Sequence, residues 1–338
     1  MKKIFIFVLA LTLCLTFVGC SGGEPTSRTV WSYEELTYKV TESGSNTEGT
    51  LVMIAEKLQN DKTVKMPVIT DGAMTEVDVA LTSDCHVLKG SLVFGDDCME
   101  YVTVTTSGFR PLYSYKALIR GQEQTEYTGE GEAPACLSYI MTTVYNKTES
   151  KATSTYARRR TYSSENWDST FSSDHWVTYT KEYDNISRPY CDVNQLYYSL
   201  RALNDITNKD FTYTLHVPMV LELTTKNLYT RSTPNVSVSS SSIPYISEKY
   251  GNDYGLFLTK VTITPQDSPV IGKSIEIYYA ESGISSIEDF ANATSGSKVT
   301  HDKVPVLIRE NIESEGDTNL NGRGTITYSL VSFSTEKP

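Results

Sequence analysis

The chain has 338 residues, a formal net charge of −11, 39% hydrophobic residues and 23 tyrosines. That length and apolar content allow one large β domain or two smaller ones, and the acidity argues against a nucleic-acid partner, which needs a basic footprint. The abundance of Tyr, Thr and Val favours strands with one wet face.

Lys2 and Lys3 precede an apolar stretch, Ile4 to Val18, that is shorter than the roughly 20 residues a membrane-spanning helix needs. It has the length and flanks of a signal-peptide core. Phe17-Val18-Gly19-Cys20 resembles the lipobox of bacterial lipoproteins. In that family the chain is cut before the cysteine, which carries diacylglycerol while its new N-terminus is acylated. The resemblance implies a cleaved segment 1–19, lipidation at Cys20 and a flexible tether over 20–30. The alternative is an ordinary secretory signal in which Cys20 is incidental. Loss of Lys2 and Lys3 takes the formal charge from −11 to −13, so the lipid, not charge, would hold the protein at a membrane.

From residue 31 to 335 one antiparallel β domain is expected. Period-two alternation runs through 36–40, 50–55, 75–81, 100–106 and 114–119, with turn-like clusters between. It resumes at 138–145, 175–183, 211–217, 256–264, 274–281, 304–310 and 324–333. "VSVSSSS" (236–242) reads as an exposed low-complexity loop. Two segments break the period. In "CDVNQLYYSLRALND" Asp192 and Gln195 have capping-box spacing, and Val193, Leu196, Tyr197 and Leu200 form one apolar helix face. A second short helix is predicted near Ile287 to Ala293. The fold class is therefore all-β, a curved antiparallel sheet with one amphipathic helix packed on it.

Cys85, Cys98, Cys136 and Cys191 remain beyond the anchor, and four cysteines allow three connectivities. Cys85 and Cys98 flank "HVLKGSLVFGDD" and would face each other across a hairpin; the other reading is four free thiols. No spacing is CxxC, which disfavours zinc.

"EELTYKVTESGSNTEGTL", "SGFRPLYSYKA", "DVNQLYYSLRAL", "FTYTLHV" and "VPVLIRE…GTITYSL" occur in this order across residues 33 to 333. In them the chain resembles the DUF3108 group of bacterial envelope proteins, whose function is unknown. The resemblance implies an antiparallel sheet curved around a helix, similar to the half-barrels of lipoprotein carriers, and implies no activity. The stretch 121–188 is larger than the group leads one to expect and reads as inserted strands.

No catalytic residue, metal site or cofactor motif is expected. His86, His175, His216 and His301 lie in separate segments without metal-ligand spacing, and no nucleophile elbow or Walker-type loop occurs. The adjacent acids Glu34 and Glu35 would point to opposite faces of a strand and read as solvated surface. Two binding surfaces are candidates. If the sheet is curved, Leu196, Tyr197 and Leu200 lie across its concavity, either as core or as the wall of a pocket for an acyl chain or other amphipathic ligand. Arg201 would then meet a ligand head group or an acidic neighbour. The other candidate is the insertion, where Arg158, Arg159, Arg160, Trp167 and Trp176, with Tyr179 and Tyr183, would contact a glycan or a protein partner. The expected protein is a non-enzymatic, lipid-anchored envelope module outside the cytoplasm, whose partners are the membrane and a lipid-like ligand or an envelope component.

Overall fold

The computed structural model describes residues 32–70, 73–95, 97–107, 109–119, 139–146, 151–159, 176–183, 192–202, 212–216, 219–223, 228–231, 235–247, 252–265, 274–280, 304–311 and 325–338. In chain order the strands are β1 Tyr33–Glu42, β2 Glu48–Leu58, β3 Thr63–Thr70, β4 Ala73–Ala80, β5 Cys85–Phe94, β6 Asp97–Thr106, β7 Pro111–Ile119, β8 Tyr139–Asn146, β9 Lys151–Arg159 and β10 Trp176–Tyr183. After a helical segment come β11 Thr212–His216, β12 Met219–Leu223, β13 Leu228–Arg231, β14 Asn235–Ser247, β15 Asn252–Pro265, β16 Ser274–Ala280, β17 Pro305–Asn311 and β18 Thr325–Ser334. The helical segment is a 3₁₀ turn (Val193–Gln195), one α turn, α1 (Leu196–Ser199), and a second 3₁₀ turn (Leu200–Ala202).

Among the described residues, fourteen strands form a single sheet in the order β10-β9-β8-β7-β6-β5-β2-β1-β18-β17-β16-β15-β14-β11. Every strand pair in it is antiparallel. Most neighbours are also neighbours in sequence, as hairpin connections favour. The chain departs from the meander at two hairpins, β3–β4 and β12–β13, each a separate two-stranded sheet. The first and last strands, β1 and β18, pair in mid-sheet. β8, β9 and β10, all from within 121–188, simply extend the sheet at one end.

Alternation assigns the faces. On β1, Glu34, Leu36, Tyr38 and Val40 are buried, and across the ladder they meet Ala55, Met53, Leu51 and Gly49 of β2. This inner face carries the main core, with Leu88 of β5, Val261 of β15, Ile277 and Tyr279 of β16, Ile308 of β17 and Tyr328 of β18, packed with Leu196, Tyr198 and Leu200. Gly90 on β5 lies opposite Tyr101 of β6, and a Cβ at Gly90 would stand 2.0 Å from that ring. The glycine is therefore what lets the tyrosine ring lie flat across the strand. The outer face has a smaller core of its own. There Met66 of β3 packs with Cys85, Val87, Val104 and Tyr113, under the β3–β4 hairpin.

Three sequence expectations change here. "VSVSSSS" belongs to β14, paired throughout with β15 and, from Val236 to Ser239, with β11 as well. The backbone ladder outweighs the weak strand preference of serine. Cys85 and Cys98 are free thiols, one buried and one exposed. Cys85 lies opposite Thr106 and Cys98 opposite Val93, so they sit at opposite ends of the hairpin, roughly 27 Å apart along the strands at about 3.4 Å per residue. A disulfide requires Cα atoms within about 7 Å. Glu34 is no solvated acid, being fully buried. The predicted second helix and Cys20, Cys136, Cys191, Arg160 and Trp167 lie outside the described residues.

His86 sits on the inner face of β5 with its ring stacked on Phe109, centroids 4.8 Å apart and planes within 2°. Burial lowers its pKa from 6.5 to about 4, with Lys57 acting in the same direction and the Thr106 carbonyl opposing. The fold thus keeps neutral a group that the unfolded chain protonates, so this contribution is complete above pH 6.5 and is lost as pH falls toward 4. It amounts to about 2 kcal/mol lost by pH 5. Calorimetry of wild type at pH 7 and pH 5 is expected to show that loss, and His86→Phe, which keeps the stack, to show most of it removed. An undiminished pH dependence in the variant would contradict the assignment.

Candidate functional site

The sheet's concavity is occupied by the chain itself. Ser114 of β7 and Tyr145 of β8 donate to Asp192 Oδ2 at 2.5 and 2.6 Å. Five residues on, Tyr279 of β16 donates to the Tyr197 carbonyl at 2.7 Å. β8 and β16 are eight spacings apart in the sheet, about 38 Å if it were flat. The segment joining those two contacts is about 10 Å long. The sheet must therefore curl around residues 192–202.

Local chemistry builds this plug. Asp192 Oδ1 accepts from the Asn194 N–H at 2.9 Å, the usual service of an Asp at a helix start. The reciprocal half of the predicted capping box goes elsewhere, because Gln195 Nε2 donates to the Phe109 carbonyl at 2.7 Å. Phe109 holds φ +54°, the left-handed region that a bulky residue rarely adopts. That conformation turns its carbonyl toward the plug while its ring stacks on His86. The strain, of order 1–3 kcal/mol, is offset by those contacts.

The centre of the plug is an ion pair. Arg201 Nη1 and Nη2 donate to Glu34 Oε1 and Oε2 at 2.5 and 3.2 Å, a bidentate pair, with the side chains 1% and 0% exposed. The guanidinium also lies 5.5 Å from the centroid of the Tyr198 ring. Tyr38 donates to the Pro305 carbonyl at 2.7 Å. Burial first and the Glu34 charge second hold the phenols of Tyr38 and Tyr198 well above their ordinary range. Tyr197 is raised by burial and then by Glu310, to which it donates, and Tyr328 donates to the same carboxylate at 3.2 Å. Tyr38 and Tyr197 therefore act as protonated donors throughout the physiological range.

Of the residues expected to line a pocket, Leu196 and Leu200 are 3% and 1% exposed within the core, and Tyr197 is half-buried. Arg201 has met the acidic neighbour. The helix is shorter than the apolar stripe suggests, and it is buried off that stripe too, at Asn194, Gln195 and Tyr198. In the insertion, Trp176 lies opposite Arg159, and Val177 opposite Arg158. Arg158 and Arg159 thus occupy consecutive register positions of β9. Among the described residues no group of three His, Cys, Asp or Glu side chains converges as a metal site. An open hollow of about 410 Å³ on the outside is lined by polar residues, Ser32, Lys57, Gln59, Asn60, Asp61 and Asp84. Glu34 shares the parity of Leu36, Tyr38 and Val40, the one signal in the sequence that an acid here faces inward.

No protein-family profile matches the chain, and no curated protein does. Among solved structures, a beta-barrel-like protein of the domain of unknown function DUF1849 from Brucella abortus is similar, with 7% identity and a TM-score of 0.42 over 91% of this chain and 99% of that one.

Removing one partner of a buried pair strands the other charge, at a cost of about 3–5 kcal/mol. Arg201→Met is expected to lose stability on that scale in urea unfolding. The double variant Glu34→Gln/Arg201→Met should lose clearly less than the two single losses added. Simple additivity would contradict a direct coupling.

Proposed function

We propose that this protein is a non-enzymatic module of the cell envelope, tethered outside the cytoplasm by lipid on Cys20, and that it acts through its outer surface on an envelope partner. The observation that carries the surface reading is the filled concavity: Leu196, Leu200 and Arg201 are spent on the chain's own core and on Glu34. The signal-peptide pattern ending at Cys20, the polar tether and the landmarks resembling the DUF3108 group support the location. The net negative charge supports anchoring by acyl chains over electrostatic attachment.

A second reading keeps the interior as the site. Tyr38, Tyr101, Tyr279 and Tyr328 stand on the inner strands among Leu, Val and Ile. A plug that swung out would uncover an amphipathic lining suited to an acyl chain with a polar head.

Native mass spectrometry of the mature protein, extracted from bacterial membranes and freed of its tether, separates the two. The surface reading expects the mass of the bare polypeptide, with Leu200→Trp merely less stable. A co-purified lipid-like mass, lost on Leu200→Trp, would overturn it for the carrier reading. Cys20→Ser is expected to leave the protein unlipidated and outside the membrane fraction; unchanged fractionation would contradict the anchor.

A further inference from the structure

We propose that the free edge of β4 is a docking site for an extended, cationic segment of a partner protein, which adds to the β3–β4 hairpin as a third strand. The proposal deepens the surface reading above by naming the place and the chemistry of the partner.

The hairpin rests on the outer face of the sheet by one strand. Met66 of β3 is fully buried in the outer core, with Val64 and Val68 packed beside it. β4 hangs beyond that contact. All its residues from Thr75 to Ala80 are exposed, and it pairs with β3 alone among the described residues. A strand paired on one side presents a row of N–H and C=O groups on the other, a template for an added strand. Proteins blunt such edges with proline, bulges or cations. β3 carries Pro67, whose missing N–H confines it to the side away from a partner strand. β4 has neither proline nor lysine, and its register with β3 runs unbroken from Thr63↔Ala80 to Thr70↔Ala73.

The side chains say what would fit. Val77 and Val79 lie opposite Met66 and Val64, on the face turned toward the sheet, yet they remain 40% and 37% exposed. An incoming strand with apolar residues on that face would cover them. On the opposite face stand Glu76 and Asp78 with one cation between them, Lys65, which lies across from Asp78 and reaches Glu76 at 3.6 Å. That pair is 71% and 66% exposed, too solvated to satisfy Glu76. The edge is therefore apolar on one face and net acidic on the other. Its complement is a strand alternating apolar and basic residues, since opposite charges across a strand pair stabilise and like charges destabilise. A second copy of β4 would set acid against acid, so self-pairing is disfavoured.

The test uses the full mature protein and three labelled synthetic peptides: acetyl-TKVKVT-amide, its glutamate counterpart acetyl-TEVEVT-amide, and acetyl-KKTVVT-amide, in which the alternation is broken. Anisotropy titrations at low salt should show saturable binding of the first, with the other two at least tenfold weaker. Glu76→Lys/Asp78→Lys, at exposed positions, should reduce binding of the first peptide at least tenfold and reverse the preference toward the glutamate peptide. Hydrogen exchange should show residues 75–80 slowed by the lysine peptide. Equal binding of the alternating and broken peptides, no effect of the double substitution, protection elsewhere than β4, or protection of β4 by self-association without peptide would each overturn the proposal. The outcome is separable from the surface reading, which falls only if a lipid-like mass co-purifies.

Discussion

The structure depends on one connection. β10 and β11 are the two ends of the sheet, and the chain passes from one to the other through residues 192–202. Passing along the inner face places a helical segment, with its polar backbone ends and an arginine, inside an apolar core. Every such group must then find a partner there, because an unmet buried polar group costs more than a hydrogen bond returns. The strands supply the partners: Glu34 for Arg201, Ser114 and Tyr145 for Asp192, the Phe109 carbonyl for Gln195, and the Tyr279 hydroxyl for the Tyr197 carbonyl. These bonds come from elements spread across much of the sheet, so the plug holds the curvature as much as the curvature encloses the plug. A buried ion pair adds little net stability against an apolar substitute, but it does specify one geometry, and fixing the register of the plug is the role it fits here.

The proposed surface role rests on this filled interior. An open carrier would leave the inner face to its ligand; here Leu196, Tyr198 and Leu200 already fill it. The outer face differs, having a small core under β3 and a neighbouring strand, β4, left exposed. Extending a hairpin needs no rearrangement of the main core, and main-chain bonding tolerates varied partner sequences as long as the charge and apolar pattern agrees.

Much of the architecture could be read from alternation, since strands with one buried face repeat every second residue. The exceptions have physical reasons. β14 is rich in serine, and only its two flanking strands make it a strand. The stretch between Cys85 and Cys98, read as a hairpin that sets the two cysteines face to face, is mostly one arm, β5, of a longer hairpin whose register no local pattern reveals. The helix was visible from its apolar spacing, but not the burial of Asn194, Gln195 and Tyr198 off that stripe, which follows from where the chain must cross. At the site, Arg201 and Asp192 could be singled out from the helix alone. Glu34 lies 167 residues from Arg201, and long-range pairing of that kind leaves only a trace in the sequence, an acid at an inward position of β1. Phe109 in a left-handed conformation left no trace at all, because glycine is the residue such a position ordinarily advertises.

Residues 192–202 are held as a permanent part of the core and not as a gate, a difference that native-state hydrogen exchange reads out. If the plug is core, its amides exchange at the same free energy as those of β1 and β2, through global unfolding, and lipid vesicles leave them unchanged. Fast exchange of 192–202 beneath a still-protected sheet, or exchange accelerated by vesicles, would contradict that claim and make the plug a gate to the interior.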